Sequence, residues 1–262
     1  MAVGSMIGLG LSRPCRRLFI ALCLLPALAL VAGCALPEAP APAGIEDPFE
    51  ERNRRVHAAN KGIDRAVLRP VARAYGAVVP GVAQTGLRNV ANTLDLPGTV
   101  VNNLLQLDLP SAARNSARFT INATLGIGGL FDPAGEMGLA EADTDFGETL
   151  HVWGVPEGAY VELPVFGPSN KRDALGTVVD IVLNPLGPML SDETRRVVTA
   201  IEVGEVVDTR NRYAVMIDGV LYESADSYAQ SRLLYLQNRR FTLHTDIATP
   251  DEDPMALDTE GF

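Results

Sequence analysis

Apolar residues along this chain recur mostly at spacings of three, four and seven, which predicts helices. Phe49, Val56, Ile63 and Val67 place one apolar stripe on a helix from about Phe49 to Leu68. Arg69-Pro70 is expected to end it, because the residue before a proline avoids the α region. Pro97 suits a helix start, with Val100, Val101, Leu104 and Leu105 on one side and Pro110 closing the segment. Ser111 can cap the next helix, in which Ala113, Ala117, Ile121 and Leu125 repeat at every fourth position. Gly126-Ile127-Gly128-Gly129 must stop it. Further helices are expected from Asn170 and Asp173 to Leu183, from Arg195 to Val207, and from Tyr222 to Leu243. In the last, Ala225, Ala229, Leu233, Leu236 and Arg240 share a face. Between Leu150 and Phe166 the pattern changes. His151 to Pro156 and Tyr160 to Leu163 flank Glu157-Gly158 with β-branched and aromatic residues, which reads as a hairpin or paired extended segments. The predicted class is mainly α.

The N-terminus changes the picture. Arg13, Arg16 and Arg17 precede an apolar run from Leu18 to Val31, too short to span hydrocarbon as a helix but suited to a cleaved secretory signal. Val31-Ala32-Gly33-Cys34 then has the apolar-small-small-Cys order of a lipidation site, so Cys34 is expected to be acylated. Ala35 rather than Asp follows it, which by the general sorting rule for bacterial lipoproteins favours the outer membrane of a Gram-negative cell. Pro37-Glu38-Ala39-Pro40-Ala41-Pro42 reads as a polar tether. The expected organisation is a signal peptide at 1–33, a lipidated tether at 34–46, one helical domain at 47–245 and an acidic tail at 246–262.

Removing the signal leaves roughly 230 residues, enough for one domain with a real core. Cys15 and Cys23 go with the signal, so the mature domain has no thiol for a disulfide, zinc site or nucleophile. Three Arg and no acid also go, leaving the mature chain more negative than the −10 of the whole and a poor candidate for nucleic acid. The charge is uneven. Arg52, Arg54, Arg55, Lys61, Arg65, Arg69 and Arg73 face only Asp64 between positions 52 and 73, and could meet lipid phosphates or simply form a solvated face. No other stretch has the length of a conventional spanning helix.

The motifs supply no catalytic chemistry. His57, His151 and His244 lie in no recognisable triad signature, and Gly-x-Ser-x-Gly is absent. Gly126-x-Gly128-Gly129 follows a helix and precedes no Lys, unlike a phosphate-binding loop. Asp143-x-Asp145 with Glu141 and Glu148 reads as a solvated acidic turn before it reads as a cation site. No cofactor and no metal are expected.

One collinear set of residues does carry a resemblance. Asp47-Pro48-Phe49-Glu50-x-x-Asn53-Arg54, Arg69-Pro70, Tyr75 and Pro80 open it, followed by Asn89, Asn92, Pro97, Asn102 and Leu105-Gln106. Then come Arg118-Phe119-x-x-Asn122, Leu125 to Asp132 through the glycines, Phe146-Gly147-Glu148-Thr149-Leu150, and Gly154-x-x-x-Gly158-x-Tyr160-x-x-Leu163-Pro164-x-x-Gly167-Pro168. Arg172-Asp173-x-x-Gly176-x-x-x-Asp180 and Leu221-Tyr222-Glu223-Ser224-x-Asp226-x-Tyr228 extend it. The chain resembles the MlaA/VacJ family of outer-membrane phospholipid-transport lipoproteins. It departs in having Asp226-Ser227-Tyr228 where the family often has Asp-Pro-Tyr, and residues 184–220 match weakly.

The resemblance implies a single ring-like helical domain lying in the inner leaflet of the outer membrane. An amphipathic channel through it would let mislocalised outer-leaflet phospholipids descend, with a trimeric porin and a soluble periplasmic carrier as partners. No bond is broken, so no enzyme is expected. On this reading Arg118, Phe119, Gly126, Gly128, Gly129 and Phe131 are candidates for the lipid path or a gate. The glycines serve equally as a tight helix-to-loop turn, and Arg118 serves equally as the partner of a carboxylate such as Asp132 or Asp180. Arg172 and Asp173 complete the candidate charge pairs. The rival readings are a structural envelope lipoprotein without a lipid pathway and a membrane-bound lipid hydrolase.

Overall fold

The computed structural model describes residues 47–245; the expected signal, the tether with Cys34, and the acidic tail lie outside the described residues. Helix α1 (Glu50–Ile63) runs through a π-helical turn (Asp64–Leu68) into α2 (Arg69–Val78). Helices α3 (Gly81–Leu105) and α4 (Leu109–Thr124) follow, then the short α5 (Pro133–Glu136) and α6 (Phe146–Val152). Strands β1 (Tyr160–Leu163) and β2 (Gly167–Asn170) pair antiparallel, with Tyr160 opposite Asn170. Then come α7 (Lys171–Leu183), a 3-10 turn (Gly187–Met189), α8 (Asp192–Arg212), α9 (Ala214–Asp218), a π turn (Gly219–Glu223) and α10 (Ser227–Thr245). Helix α3 packs along α4, α6 against α7, and α8 against both α2 and α3.

Several boundaries differ from the sequence expectation, each for a local reason. Pro70 does not end the first helix. The preceding turn widens instead, Arg69 N–H bonding back five residues to Asp64 O, and this accommodates the missing proline donor. Pro97 lies inside α3 rather than at its start, so the helix begins at Gly81 and the Thr93 carbonyl goes without its usual partner. Helix α4 is capped by Asp108, whose carboxylate accepts from Ser111 N at 3.1 Å, with Pro110 in its first turn. Asn170 caps α7 as expected, accepting from Asp173 N at 2.8 Å. β1 pairs with residues after it, while His151 closes α6 instead of contributing a strand.

Burial is inverted relative to a water-soluble bundle. The described core holds Asn53, His57, Asp64, Asn102, Asn103, Asn115, Arg118, Asn122, Thr149, Glu162, Asn170, Arg172, Asp208 and Arg210, against few apolar side chains larger than Ala. The apolar cluster of Tyr160, Tyr228 and Leu236, flanked by Tyr235, is small. The predicted apolar rows on α1 and α4 are not the buried ones. Phe49, Ile63 and Val67 are exposed while Asn53, His57 and Asp64 from the same helical segment are buried. On α4 the buried row is Ala112, Asn115, Arg118 and Asn122, not the row ending in Leu125. Val78, Val82 and Val215 are 80%, 84% and 90% exposed. Apolar surface on this scale marks a surface made for something other than water.

Hydrogen bonds and ion pairs hold the interior together. Asp208, fully buried, joins three helices by accepting from Arg88 (3.0 Å) and Tyr75 (3.1 Å). Asp47 takes Asn53 (2.9 Å), the Tyr228 hydroxyl and Arg232. Asn115 bridges Asn103 (2.9 Å) and the Ala142 carbonyl (2.8 Å). Networks of this kind are favourable only when their members are satisfied, and they specify one packing rather than many.

Candidate functional site

Arg118 sits in the buried row of α4, beside the half-buried Phe119. Its guanidinium donates to the Leu139 carbonyl, to Asp132 at 3.3 Å and to Glu141 at 3.5 Å. Asp132 in turn takes Asn122 (2.8 Å) and the Gly135 amide (2.9 Å). Burial opposes the charge of Asp132, but the Gly135 amide, Asn122 and Arg118 outweigh it and hold the carboxyl below its usual range. The arrangement folds the segment after α4 back onto that helix.

Between them lies the glycine turn. Backbone bonds from Gly126 to Ile121 (3.2 Å), Gly128 to Ala123 (3.0 Å), Gly129 to Asn122 (2.9 Å) and Phe131 to Gly126 (3.0 Å) close it. Gly129 has φ +88°, and a Cβ there would stand 2.7 Å from Thr93 on α3; one on Gly126 would stand 2.4 Å from two carbonyl oxygens. The turn is therefore tight, and it presents Leu125, Ile127, Leu130 and Phe131 outward.

A second node surrounds Asp173. Arg172 (3.1 Å), Arg239 (2.9 Å), the Tyr235 hydroxyl (2.6 Å) and Asn170 (2.8 Å) all donate to it. Burial disfavours this carboxylate's charge, yet Tyr235, Arg239 and Arg172 pull its pKa down. Arg239 also reaches Asp145 at 2.7 Å, tying α10 to the loop before α6. Among the described residues Asp180 takes no Arg in an ion pair. It accepts from Asn102 (2.9 Å) and the Phe146 amide (3.0 Å), and burial raises its pKa.

Asp180 opens onto a cavity of about 240 Å³ between α3, the loop before α6 and the end of α7. Leu94, Val101, Phe146 and Leu183 give it apolar wall, and Asp95, Asp143, Asp145 and Asp180 give it acidic wall. Asp95 is solvent-exposed within this concave surface. Surrounding protein atoms, with Glu205, Glu202, Asp143 and Glu141 adding repulsion, push its pKa up to about 6. Sequence reasoning missed Asp95, although an acid inside the apolar run Leu94-Asp95-Leu96 was a visible anomaly.

The hydrolase reading meets one relevant arrangement. His57 lies between Glu162 (Nδ1 to Oε1, 3.1 Å) and Ser227 (Nε2 to Oγ, 3.1 Å). Ser227 Oγ also accepts from Lys61 Nζ at 3.1 Å. The Ala229 amide at the head of α10 is bonded to Asp226 (3.1 Å), so this donor is spent rather than aimed at a substrate oxyanion. His57 packs edge-on to Tyr228 at 5.7 Å, and the relay braces α1 against α10. Asp145 and Glu148 are likewise engaged, by Arg239 and Thr144, and no metal-holding group of acids, His or Cys is found among the described residues.

Comparison with known proteins gives a consistent picture. The family model for MlaA lipoprotein matches residues 45–242. The intermembrane phospholipid transport system lipoprotein MlaA of Escherichia coli (strain K12) is 34% identical over 217 residues, covering 81% of this chain and 84% of that protein. Its counterpart in Haemophilus influenzae is 31% identical over 202 residues, covering 76% and 79%. A solved structure described as the structural basis for maintenance of bacterial outer membrane lipid asymmetry superposes with a TM-score of 0.65 at 34% identity, covering 75% of this chain and 98% of that one.

Proposed function

This chain belongs to the MlaA lipoprotein family, and from that premise we propose that it removes mislocalised phospholipids from the outer leaflet of the outer membrane. The intact lipid descends through an amphipathic passage and passes to a soluble periplasmic carrier, which maintains the lipid asymmetry of the membrane. Residues 1–33 act as a cleaved signal, Cys34 carries the acyl anchor on the periplasmic side, 34–46 form the tether and 47–245 the transport domain. A trimeric porin is its membrane partner.

One observation carries the reading. Large apolar side chains point outward and polar ones inward, while no described helix is long and apolar enough to cross a membrane. Such a protein is suited to half a bilayer. Its apolar rows meet acyl chains, and its ion pairs do in lipid what a hydrophobic core does in water. The cavity beside α3 sets apolar wall against carboxylates, a lining that suits part of a lipid at a time: a length of acyl chain, or a cationic head-group amine rather than the phosphate. The glycine turn and its apolar crest, Leu125 to Phe131, form the wall past which the tails move.

The test fills the cavity. Val101→Trp should give a folded, acylated protein that fails to lower outer-leaflet phospholipid in a deletion strain, read by mass spectrometry of surface-labelled lipid. Full restoration by that variant would remove the cavity from the path.

A further inference from the structure

The strongest unexplained feature outside the cavity is a crowd of cations around Tyr222. Lys61, Arg65, Arg69 and Arg73 recur at every fourth position across the end of α1, the π turn and α2. Like charges at this spacing repel. Three of them converge on one ring all the same. Arg69 lies 4.4 Å from the Tyr222 centroid, Arg65 5.1 Å and Lys61 5.6 Å.

The carboxylates nearby do not balance them. Asp218 takes Arg69 (2.7 Å), Arg73 (3.0 Å) and Arg210. Buried Asp64 takes Arg210 (2.7 Å) and the Tyr222 hydroxyl (2.6 Å), which fixes the ring in place. Asp226 is committed to Arg54 at 2.8 Å. Five cations thus face two carboxylates, and Lys61 and Arg65 are paired with neither. The ring face softens this repulsion through its quadrupole but cannot neutralise it. An anion from outside can.

We propose that Lys61, Arg65 and Arg69, gathered around Tyr222, form a binding site for the phosphate of a membrane phospholipid, apart from the cavity. The choice of a lipid phosphate rests on the membrane placement of the proposed function and on the helix itself. The far side of the same helical segment exposes Ile63, Val67 and Val71. The cations therefore stand about one helix diameter, ~10 Å, from an apolar face, which is the depth of head groups above acyl chains. An ammonium and a planar guanidinium are also the donors that suit a phosphate diester. The site holds a lipid at the rim of the protein, where it orients the domain against the leaflet.

The experiment measures binding of dihexanoylphosphatidylglycerol to the purified full-length protein in detergent by equilibrium dialysis. Lys61→Gln with Arg65→Gln should weaken it by about tenfold or more, the loss expected for two charge-assisted contacts. Arg52→Gln with Arg55→Gln removes the same charge from the same helix outside the cluster and should leave binding unchanged. Equal losses in both variants would reduce the effect to general charge and overturn the site. Unchanged binding in the Lys61/Arg65 variant, with a native melting profile, would also overturn it. Inorganic phosphate displacing the lipid at equal concentration would make the occupant a free anion, against the proposal. The Val101→Trp chain separates this claim from transport: with the cavity filled, the lipid still bound reports the cation site alone, and adding Lys61→Gln with Arg65→Gln should weaken that binding by about tenfold whatever the effect on asymmetry.

Discussion

Arg210 on α8 and Asp64 in the π turn, 146 positions apart, form a buried two-point ion pair at 2.7 and 3.0 Å. Arg210 also reaches Asp218, so one guanidinium ties the first helical segment to α8 and α9. Removing one partner of a buried pair strands the other charge. Arg210→Ala should therefore cost about 3–5 kcal/mol. Arg210→Lys should recover only part, because a point charge cannot serve both carboxylates with a fork. Thermal melts in detergent check this, and an unchanged midpoint for Arg210→Ala would show that the pair adds nothing to stability.

Two aspartates should give stability opposite pH dependences. Asp218 is held at about 2: burial opposes its charge, but Arg69 and Arg210 outweigh that. Its folded pKa is below the unfolded one, so its contribution is present above the ordinary value of 3.8 and is lost as pH falls toward 2. Asp95 is raised from 3.8 to about 6, so the folded state loses stability as pH climbs through that interval. Asp95→Asn should raise the melting temperature at pH ~7 and make no difference below pH ~4. A variant curve parallel to wild type across the whole range would show that Asp95 titrates normally.

The helical class, the cap at Asn170 and the segments assigned to helices were readable from spacing and residue type alone. Which face of each helix points inward was not. Ile63 and Leu125 sit on regular apolar rows, and period tells a reader that a row exists without saying whether protein or lipid covers it. The expected stop at Pro70 and the expected start at Pro97 misled because a π turn and a long packed helix absorbed the missing donors. Of the candidate site residues, the structure brings Arg118 to Asp132 and Arg172 to Asp173, both short in sequence separation. The pairs joining distant segments, such as Arg239 with Asp145 or Arg88 with Asp208, leave no local pattern to find.

The relay of Ser227, His57 and Glu162 offers a sharp test of the hydrolase rival. If it only braces α1 against α10, Ser227→Ala should lose about 1 kcal/mol of stability, the worth of a shared hydroxyl. Lipid transport in a deletion strain should be retained. Wild-type protein incubated with phosphatidylethanolamine vesicles should release no lysophospholipid by mass spectrometry. Release that depends on Ser227 would establish an ester-cleaving activity and overturn the structural role.

Arg118 separates a path residue from a framework residue. As a path residue it would hold passing phosphates, and Arg118→Ala would leave a stable fold with transport lost. The geometry favours the framework. The guanidinium is buried, it holds the Leu139 carbonyl, and it faces Asp132 and Glu141, so its positive charge is already matched within the chain. Its Nε has no partner among the described residues, yet it lies within the packed interior. Removing the side chain strips a buried carbonyl of its donor and leaves Asp132 with Asn122 and Gly135 alone. Arg118→Ala should then lower stability by about 2–4 kcal/mol and loosen residues 132–141, with transport falling in step. Hydrogen exchange across that loop, read beside the melting temperature and surface phospholipid, decides between the two. Native protection together with lost transport would return Arg118 to the lipid path.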